Sequence, residues 1–163
     1  MIECIVAGLL VWWMPQSLSC VILHVVFSTK GRVPWLDDRI RPRLLAYLAE
    51  VGRDEGCEML RVGGVQDHVH AAIRMSRVLS LADFMKKVKG ASSKWMHSQG
   101  RPYDEFAWQA GYGVFSIGAS QLGALIAYVD SQEEHHRKKT FQEEFREMLE
   151  RYGVDYDERY LWD

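Results

Sequence analysis

The twenty residues GCEMLRVGGVQDHVHAAIRM, Gly56 to Met75, constrain the fold most. GCEMLRVGG and DHVHAAIRM each read as a strand, and a glycine-rich join near Gly63 and Gly64 predicts a tight hairpin between them. So short a join leaves no room for a crossover helix, which makes the two strands antiparallel. Upstream, CVILHVVFST is β-branched and apolar, stops at the turn KGRVP, and reads as a buried strand. A helix follows from roughly Asp37 to Glu55, with Ile40, Leu44, Leu48 and Val51 on one stripe. Downstream, Ser80 is placed to cap a helix, with Asp83 three residues on and Leu81, Phe84, Val88, Ser92 and Trp95 on one face. After the break QGRPYDE, the segment GYGVFSIG reads as a fourth strand. Strand, helix, strand, strand, helix, strand is the order of a ferredoxin-like split βαβ domain, an α+β fold whose antiparallel sheet carries helices on one face.

Beyond this frame, Ser120 is a candidate cap for a third helix with Leu122, Leu125, Ile126 and Val129 as its stripe. Thr140 to Tyr152 reads as a charged helix and GVDYDERYLWD as irregular. With 163 residues, 48% hydrophobic, the chain fits one domain with its own core. The first residues, MIECIVAGLLVWWMPQSLSC, hold an apolar run too short to span a bilayer, and the first basic residue is Lys30, so neither a membrane span nor a secretory signal is expected. Met14 offers an alternative start; residues 1–13 are then a non-native extension, and 14–163 the single domain. The three cysteines, Cys4, Cys20 and Cys57, lack C-x-x-C spacing, which indicates neither a disulfide framework nor a zinc knuckle and makes a cytoplasmic location the expectation. A net charge of −2 gives no global argument for nucleic acid, so any such contact needs local basic clusters.

Side chains alternate along a strand, so His68 and His70 share one face with Ala72 and Arg74, opposite Val69, Ala71, Ile73 and Met75. Two imidazoles so placed can converge on one ion, or can simply hydrogen-bond at a sheet edge; the H-x-H spacing alone does not choose. On the third helix Tyr128 and Gln132 lie four apart and stack on one face. A phenol becomes a useful nucleophile when its target is polarised, and a metal held by His68, His70 and the Gln132 amide oxygen would polarise a phosphate. Two imidazoles, an amide oxygen and phosphate oxygens suit Mg²⁺ or Mn²⁺, with the imidazoles favouring Mn²⁺. His135 and His136 lie beyond Gln132 and could supply a ligand if the helix continues, although a solvated EEHHRKK charge run is the simpler reading. Lys86, Lys87 and Lys94 lie opposite the apolar stripe of the second helix, and Arg137, Lys138 and Lys139 form a second basic cluster near the tyrosine; both are candidate DNA contacts. Trp108, Tyr112 and Phe115 fit base stacking or, more simply, the core.

The segments HVVFSTKGR, GGVQDHVH, KKVKGASSKW, WQAGYGVFSIGASQ and YVDSQEEHHRKKTFQEEF, in this order, resemble the single-tyrosine HUH (His, hydrophobic, His) transposases of the insertion-sequence 200-like family, including the REP-associated tyrosine transposases. The resemblance runs from about Met14 to Asp163. It implies a ferredoxin-like homodimer joined through its sheets that cuts and rejoins single-stranded DNA beside subterminal hairpins. It also implies His68 and His70 as the HUH pair, Tyr128 as the nucleophile that takes a 5′-phosphate, and Gln132 as third metal ligand. In the family the tyrosine helix commonly completes the partner subunit's site. The chain departs from the family pattern in Val129, Asp130 and Ser131, where an Asn before the Gln is usual, and in Ala71 and Ala72, which are smaller than the usual branched residues. A hairpin-binding protein that does not cut, a metal-dependent phosphohydrolase and a purely structural histidine pair are the competing readings.

Overall fold

The computed structural model describes residues 17–136 and 139–162, so the expectations for residues 1–13, Arg137 and Lys138 fall outside the described residues. Along the chain run β1 (Ile22–Ser28), α1 (Arg41–Asp54), β2 (Glu58–Gly64), β3 (His68–Arg74), α2 (Leu81–Ser98), β4 (Gly113–Ile117), α3 (Leu122–Asp130), α4 (Gln132–His135), α5 (Phe141–Arg151) and α6 (Glu158–Leu161). The sheet order is β2-β3-β1-β4 with every neighbour antiparallel. β3 thus lies between the two strands that α1 connects, which is the split βαβ arrangement expected from the sequence. No described helix is long and apolar enough to cross a membrane.

One face of the sheet is dry. Val25 and Phe27 of β1 and Val69, Ala71 and Ile73 of β3 pack against Leu44 and Leu48 of α1 and Phe84, Met85 and Val88 of α2. Burying each large side chain contributes about 1.5–3 kcal/mol. The polar atoms that enter this layer are paired: Trp108 Nε1 donates to Ser92 Oγ at 2.9 Å, and Ser92 Oγ donates to the Val88 carbonyl at 2.6 Å. Ser80 caps α2 as expected, accepting from the Asp83 amide at 3.1 Å.

The opposite face extends the expectation of helices on one side only. α3 packs Leu125 and Val129 on Ala72, and α5 packs Phe141, Phe145, Met148 and Leu149 on Val26 and Phe115. The alternate residues of β1 and β3 are themselves partly apolar, so this face also gains by being covered. Thr140 starts α5 with a capping box, its hydroxyl accepting from the Glu143 amide at 3.3 Å while Glu143 Oε2 accepts from the Thr140 amide at 2.9 Å. The tail expected to be irregular closes in the short α6, where Asp157 accepts from the Arg159 amide at 2.9 Å.

Two turn assignments change. Gly63 and Gly64 lie inside β2, paired with His70 and Val69, and the chain reverses at Val65–Asp67, where the Val65 amide donates to the His68 carbonyl at 3.1 Å. The glycines serve close approach instead: a Cβ on Gly63 would stand 2.6 Å from the Val129 carbonyl oxygen, and one on Gly64 2.3 Å from that of His68. Ser120 sits within a 3-10 turn, and the entry to α3 is closed by Gln121, whose Oε1 accepts from the Gly118 amide at 3.3 Å.

Candidate active site

The register of β1 and β3 sets the histidines side by side. Val26 is opposite His70, Ser28 opposite His68 and His24 opposite Ala72, so His24, His68 and His70 share the face covered by α3 and α5. The start of β3 is pinned from the neighbouring strand end: the Thr29 amide and hydroxyl donate to the Asp67 carbonyl at 2.8 and 3.2 Å. Both HUH histidines are 0% exposed.

Around them the described residues close a cluster. Ligand atoms of His68, His70, His136 and Glu144 all lie within 4.8 Å of one another. His136 Nε2 stands 2.9 Å from His68 Nε2, 2.9 Å from Gln132 Oε1 and 3.1 Å from Glu144 Oε2. His70 Nε2 is 3.7 Å from Glu144 Oε2, and its Nδ1 is 2.9 Å from His24 Nε2. Gln132, 1% exposed, is placed by its own helix turn, Nε2 donating to the Tyr128 carbonyl at 3.3 Å, which leaves Oε1 facing the cluster.

Proton positions follow from the outer partners. His68 Nδ1 is 2.7 Å from Asp67 Oδ1. Burial opposes ionisation of Asp67, but the hydrogen bond from His68 and the nearby imidazoles outweigh it and hold its carboxyl below the usual range. An ionised carboxylate only accepts, so His68 donates from Nδ1 and turns Nε2 toward His136. His136 Nδ1 faces the Lys139 carbonyl at 3.0 Å and donates for the same reason. Burial, then the neighbouring His68, lowers His136 to about 4, so at neutral pH its Nε2 carries a lone pair. Burial likewise takes His70 well below the usual imidazole range and His24 to about 4. Burial, reinforced by Glu147 and Asp67, pushes Glu144 up to about 8. Nitrogens of His68, His70 and His136, the Gln132 amide oxygen and the Glu144 carboxyl therefore converge, and His70 Nε2 and both Glu144 oxygens have no hydrogen-bond partner among the described residues. That donor set fits a divalent cation.

Tyr128 reaches this cluster from its own chain. Its ring stands edge-on to His70 at 5.6 Å, His24 at 5.8 Å and His135 at 5.4 Å between centroids. Two small residues allow it: Gly63 admits the Val129 backbone, and Ala72 receives Leu125 and Val129, so α3 lies close on the sheet. The alanine that departs from the family pattern is thus where α3 docks. Tyr128, His24, His135, Lys139, Glu144 and Arg151 line a cavity of about 340 Å³, and a second cleft of about 560 Å³ reaches the cluster past Arg32, Asp67, His136 and Lys139.

The basic candidates divide. Lys139 borders both clefts and pairs with Glu147. Lys86, Lys87 and Lys94 line a groove beside α1 and α2, across the sheet from the histidines, and Lys87 bonds Glu55 at 2.5 Å. Trp108 and Phe115 are core residues, while Tyr112 is exposed with the Lys89 ammonium 5.9 Å from its ring centroid.

The family profile described as "Transposase IS200 like" matches residues 17–132, most of the chain. The chain belongs to the IS200-like transposases. Its relatives include the ISDra2 transposase TnpA of Deinococcus radiodurans, 22% identical over 114 residues, which span 67% of this chain and 81% of that protein. Among solved structures, a transposase of Deinococcus radiodurans R1 is similar with a TM-score of 0.58 and 23% identity over 73% of this chain and 98% of the other. A REP-associated tyrosine transposase bound to a REP hairpin is similar with a TM-score of 0.57 and 14% identity over 90% of each chain. At these identities the structural likeness establishes the shared fold.

Around the HUH pair of this IS200-like transposase stand four further residues: His24, Asp67 and Glu144, which local pattern did not single out, and His136, for which it favoured a solvated role. His136 reads as part of a solvated charge run, yet it is half-buried against His68, because α4 breaks after one turn and folds its end inward. Glu144 falls between Phe141, Phe145 and Met148 on the buried stripe of α5, and a carboxylate on an apolar stripe was the available signal. His24 interrupts an apolar strand, and Asp67 directly precedes the HUH pair; both were visible as polar residues at sites of expected burial.

Proposed function

We propose that this IS200-like transposase cuts and rejoins single-stranded DNA next to hairpins, with Tyr128 as nucleophile and a divalent cation, Mg²⁺ or Mn²⁺, held by His68, His70 and Gln132. The observation that carries the reading is the Tyr128 ring lining the cavity, edge-on to the buried His70. The hairpin substrate is supported by the fold shared with the transposase bound to a REP hairpin.

In the cleavage step the Tyr128 hydroxyl attacks the phosphorus, a phosphotyrosine bond to the 5′ side forms, and the bond to the 3′ oxygen breaks. In net, the proton lost by the phenol is gained by the departing oxygen, which ends as a 3′-hydroxyl. The cation, when bound, polarises a phosphate oxygen and offsets charge in the transition state. Rejoining is the reverse attack by a 3′-hydroxyl on the phosphotyrosine, so the diester energy is retained and no nucleotide cofactor is needed. Lys139 borders the cavity and is suited to a backbone phosphate; Arg137 and Lys138, its sequence neighbours, are proposed for the same contact. Lys86, Lys87 and Lys94 would serve DNA only as a separate flanking surface. A homodimer joined at a sheet edge, in the cytoplasm, completes the proposal; the edge strands are β2 and β4.

The test is incubation of the protein and Mn²⁺ with end-labelled single-stranded hairpin oligonucleotides from its own element's ends. A denaturant-resistant protein–DNA adduct that disappears in Tyr128→Phe is the expected result. Cleavage without an adduct would replace the tyrosine by water, and an adduct that survives in Tyr128→Phe would refute the nucleophile.

A further inference from the structure

Helix α5 lies outside the segment matched by the family profile, yet it carries a buried carboxylate aimed at the HUH pair. Glu144 is 3% exposed, both its oxygens lack a hydrogen-bond partner among the described residues, and Oε2 stands 3.1 Å from His136 Nε2 and 3.7 Å from His70 Nε2, with Oε1 3.8 Å from His135 Nε2. A buried carboxylate without hydrogen bonds is costly, and removing it in favour of an apolar residue would be the inexpensive solution for packing alone. His136 is held with Nδ1 on the Lys139 carbonyl, so Nε2 points into the same space. Separations of 2.9–3.1 Å between His136 Nε2 and its neighbours match the edge of a coordination polyhedron with bonds of about 2.1 Å.

We infer that Glu144 and His136 are metal ligands of this chain beside His68, His70 and Gln132, so that the cation is held by three imidazoles, the Gln132 amide oxygen and a carboxylate drawn from β3, α4 and its end, and α5. The inference rests on the metal-dependent reading above and deepens it. His68 and His70 come from the sheet, whereas His136 and Glu144 come from the chain beyond the tyrosine helix; the ion therefore ties the C-terminal helices to the sheet and fixes α3 between them. Three nitrogen donors also move the preference away from Mg²⁺ and toward Mn²⁺ or Co²⁺.

The test uses the full chain. Calorimetric titration with MnCl2 is expected to show tight one-site binding in the wild type and affinity lowered about a hundredfold in Glu144→Gln and His136→Asn. Thermal unfolding in chelator is expected to leave Glu144→Gln as stable as wild type or more so, since no hydrogen bond is lost, while the rise in Tm on adding Mn²⁺ disappears. Pulsed electron paramagnetic resonance of the Mn²⁺-loaded wild type, with ¹⁵N-histidine, is expected to count three coordinated imidazoles, and needs no variant to fold. Wild-type affinity in Glu144→Gln overturns the carboxylate ligand, and two imidazoles instead of three overturn His136, with Tyr128 chemistry untouched. Wild-type protein that binds no Mn²⁺ overturns the metal-dependent reading itself.

Discussion

The two faces of one sheet behave as two different materials. On the α1–α2 face, β1 and β3 present Val25, Phe27, Val69, Ala71 and Ile73 to an apolar layer whose polar atoms are paired. On the α3–α5 face the same two strands present His24, His68 and His70, all buried, with Glu144 descending onto them without a hydrogen bond. The first face stabilises the fold through area removed from water. The second spends part of that stability on a polar site, as buried ionisable clusters at functional centres commonly do. The period of two along a strand lets both exist within a few ångströms without compromise.

The sharpest way to break this contrast is Tyr128→Phe, which is expected to remove the covalent DNA adduct entirely while leaving the denaturant midpoint within experimental scatter, read by denaturing gel and by urea unfolding. Phe84→Ala on the dry face should do the reverse. A loss of about 3–5 kcal/mol in unfolding free energy is expected, with adduct formation retained by the folded fraction. A Phe84 variant with wild-type stability would show that the dry layer does not carry the fold. Gly63→Ala probes the seam between the faces, because its Cβ meets the Val129 backbone. About 1–3 kcal/mol of destabilisation is expected together with slower adduct formation, since α3 and Tyr128 must shift. Loss of stability without loss of rate would separate the glycine from the site. Asp67→Ala frees the His68 ring, and Mn²⁺ affinity should fall about 10–100-fold by calorimetry. Smallest is Ser80→Ala on the dry side, expected to cost about 1 kcal/mol through the lost cap of α2, with metal binding unchanged.

Much of the frame was legible. The hairpin pattern, the capped α2 and the stripes Leu44–Leu48 and Phe84–Val88 carry local periodicities, which the fold then uses as read. The glycine pair was misplaced by two residues because its composition is that of a turn, whereas its task is to admit a distant backbone, a requirement invisible to local pattern. The site was legible where it obeys strand and helix spacing: His68 and His70 two apart, Tyr128 and Gln132 four apart. His136 continues the four-residue spacing one step beyond Gln132, at the point where α4 ends, and Glu144 obeys no spacing relative to those four. Glu144 is 74 positions from the nearer HUH histidine, and no local pattern marks the encounter.

What the sequence by itself determined is the sheet, its alternation of faces and the strand and helix spacings that group the candidate site residues, because these depend on interactions among near neighbours. Only the tertiary structure decided that tyrosine and histidines meet within one chain, and that α5 brings a carboxylate to them. Those outcomes depend on which surfaces are small enough to approach, at Gly63 and Ala72, and on where an amphipathic helix finds the uncovered face of the sheet.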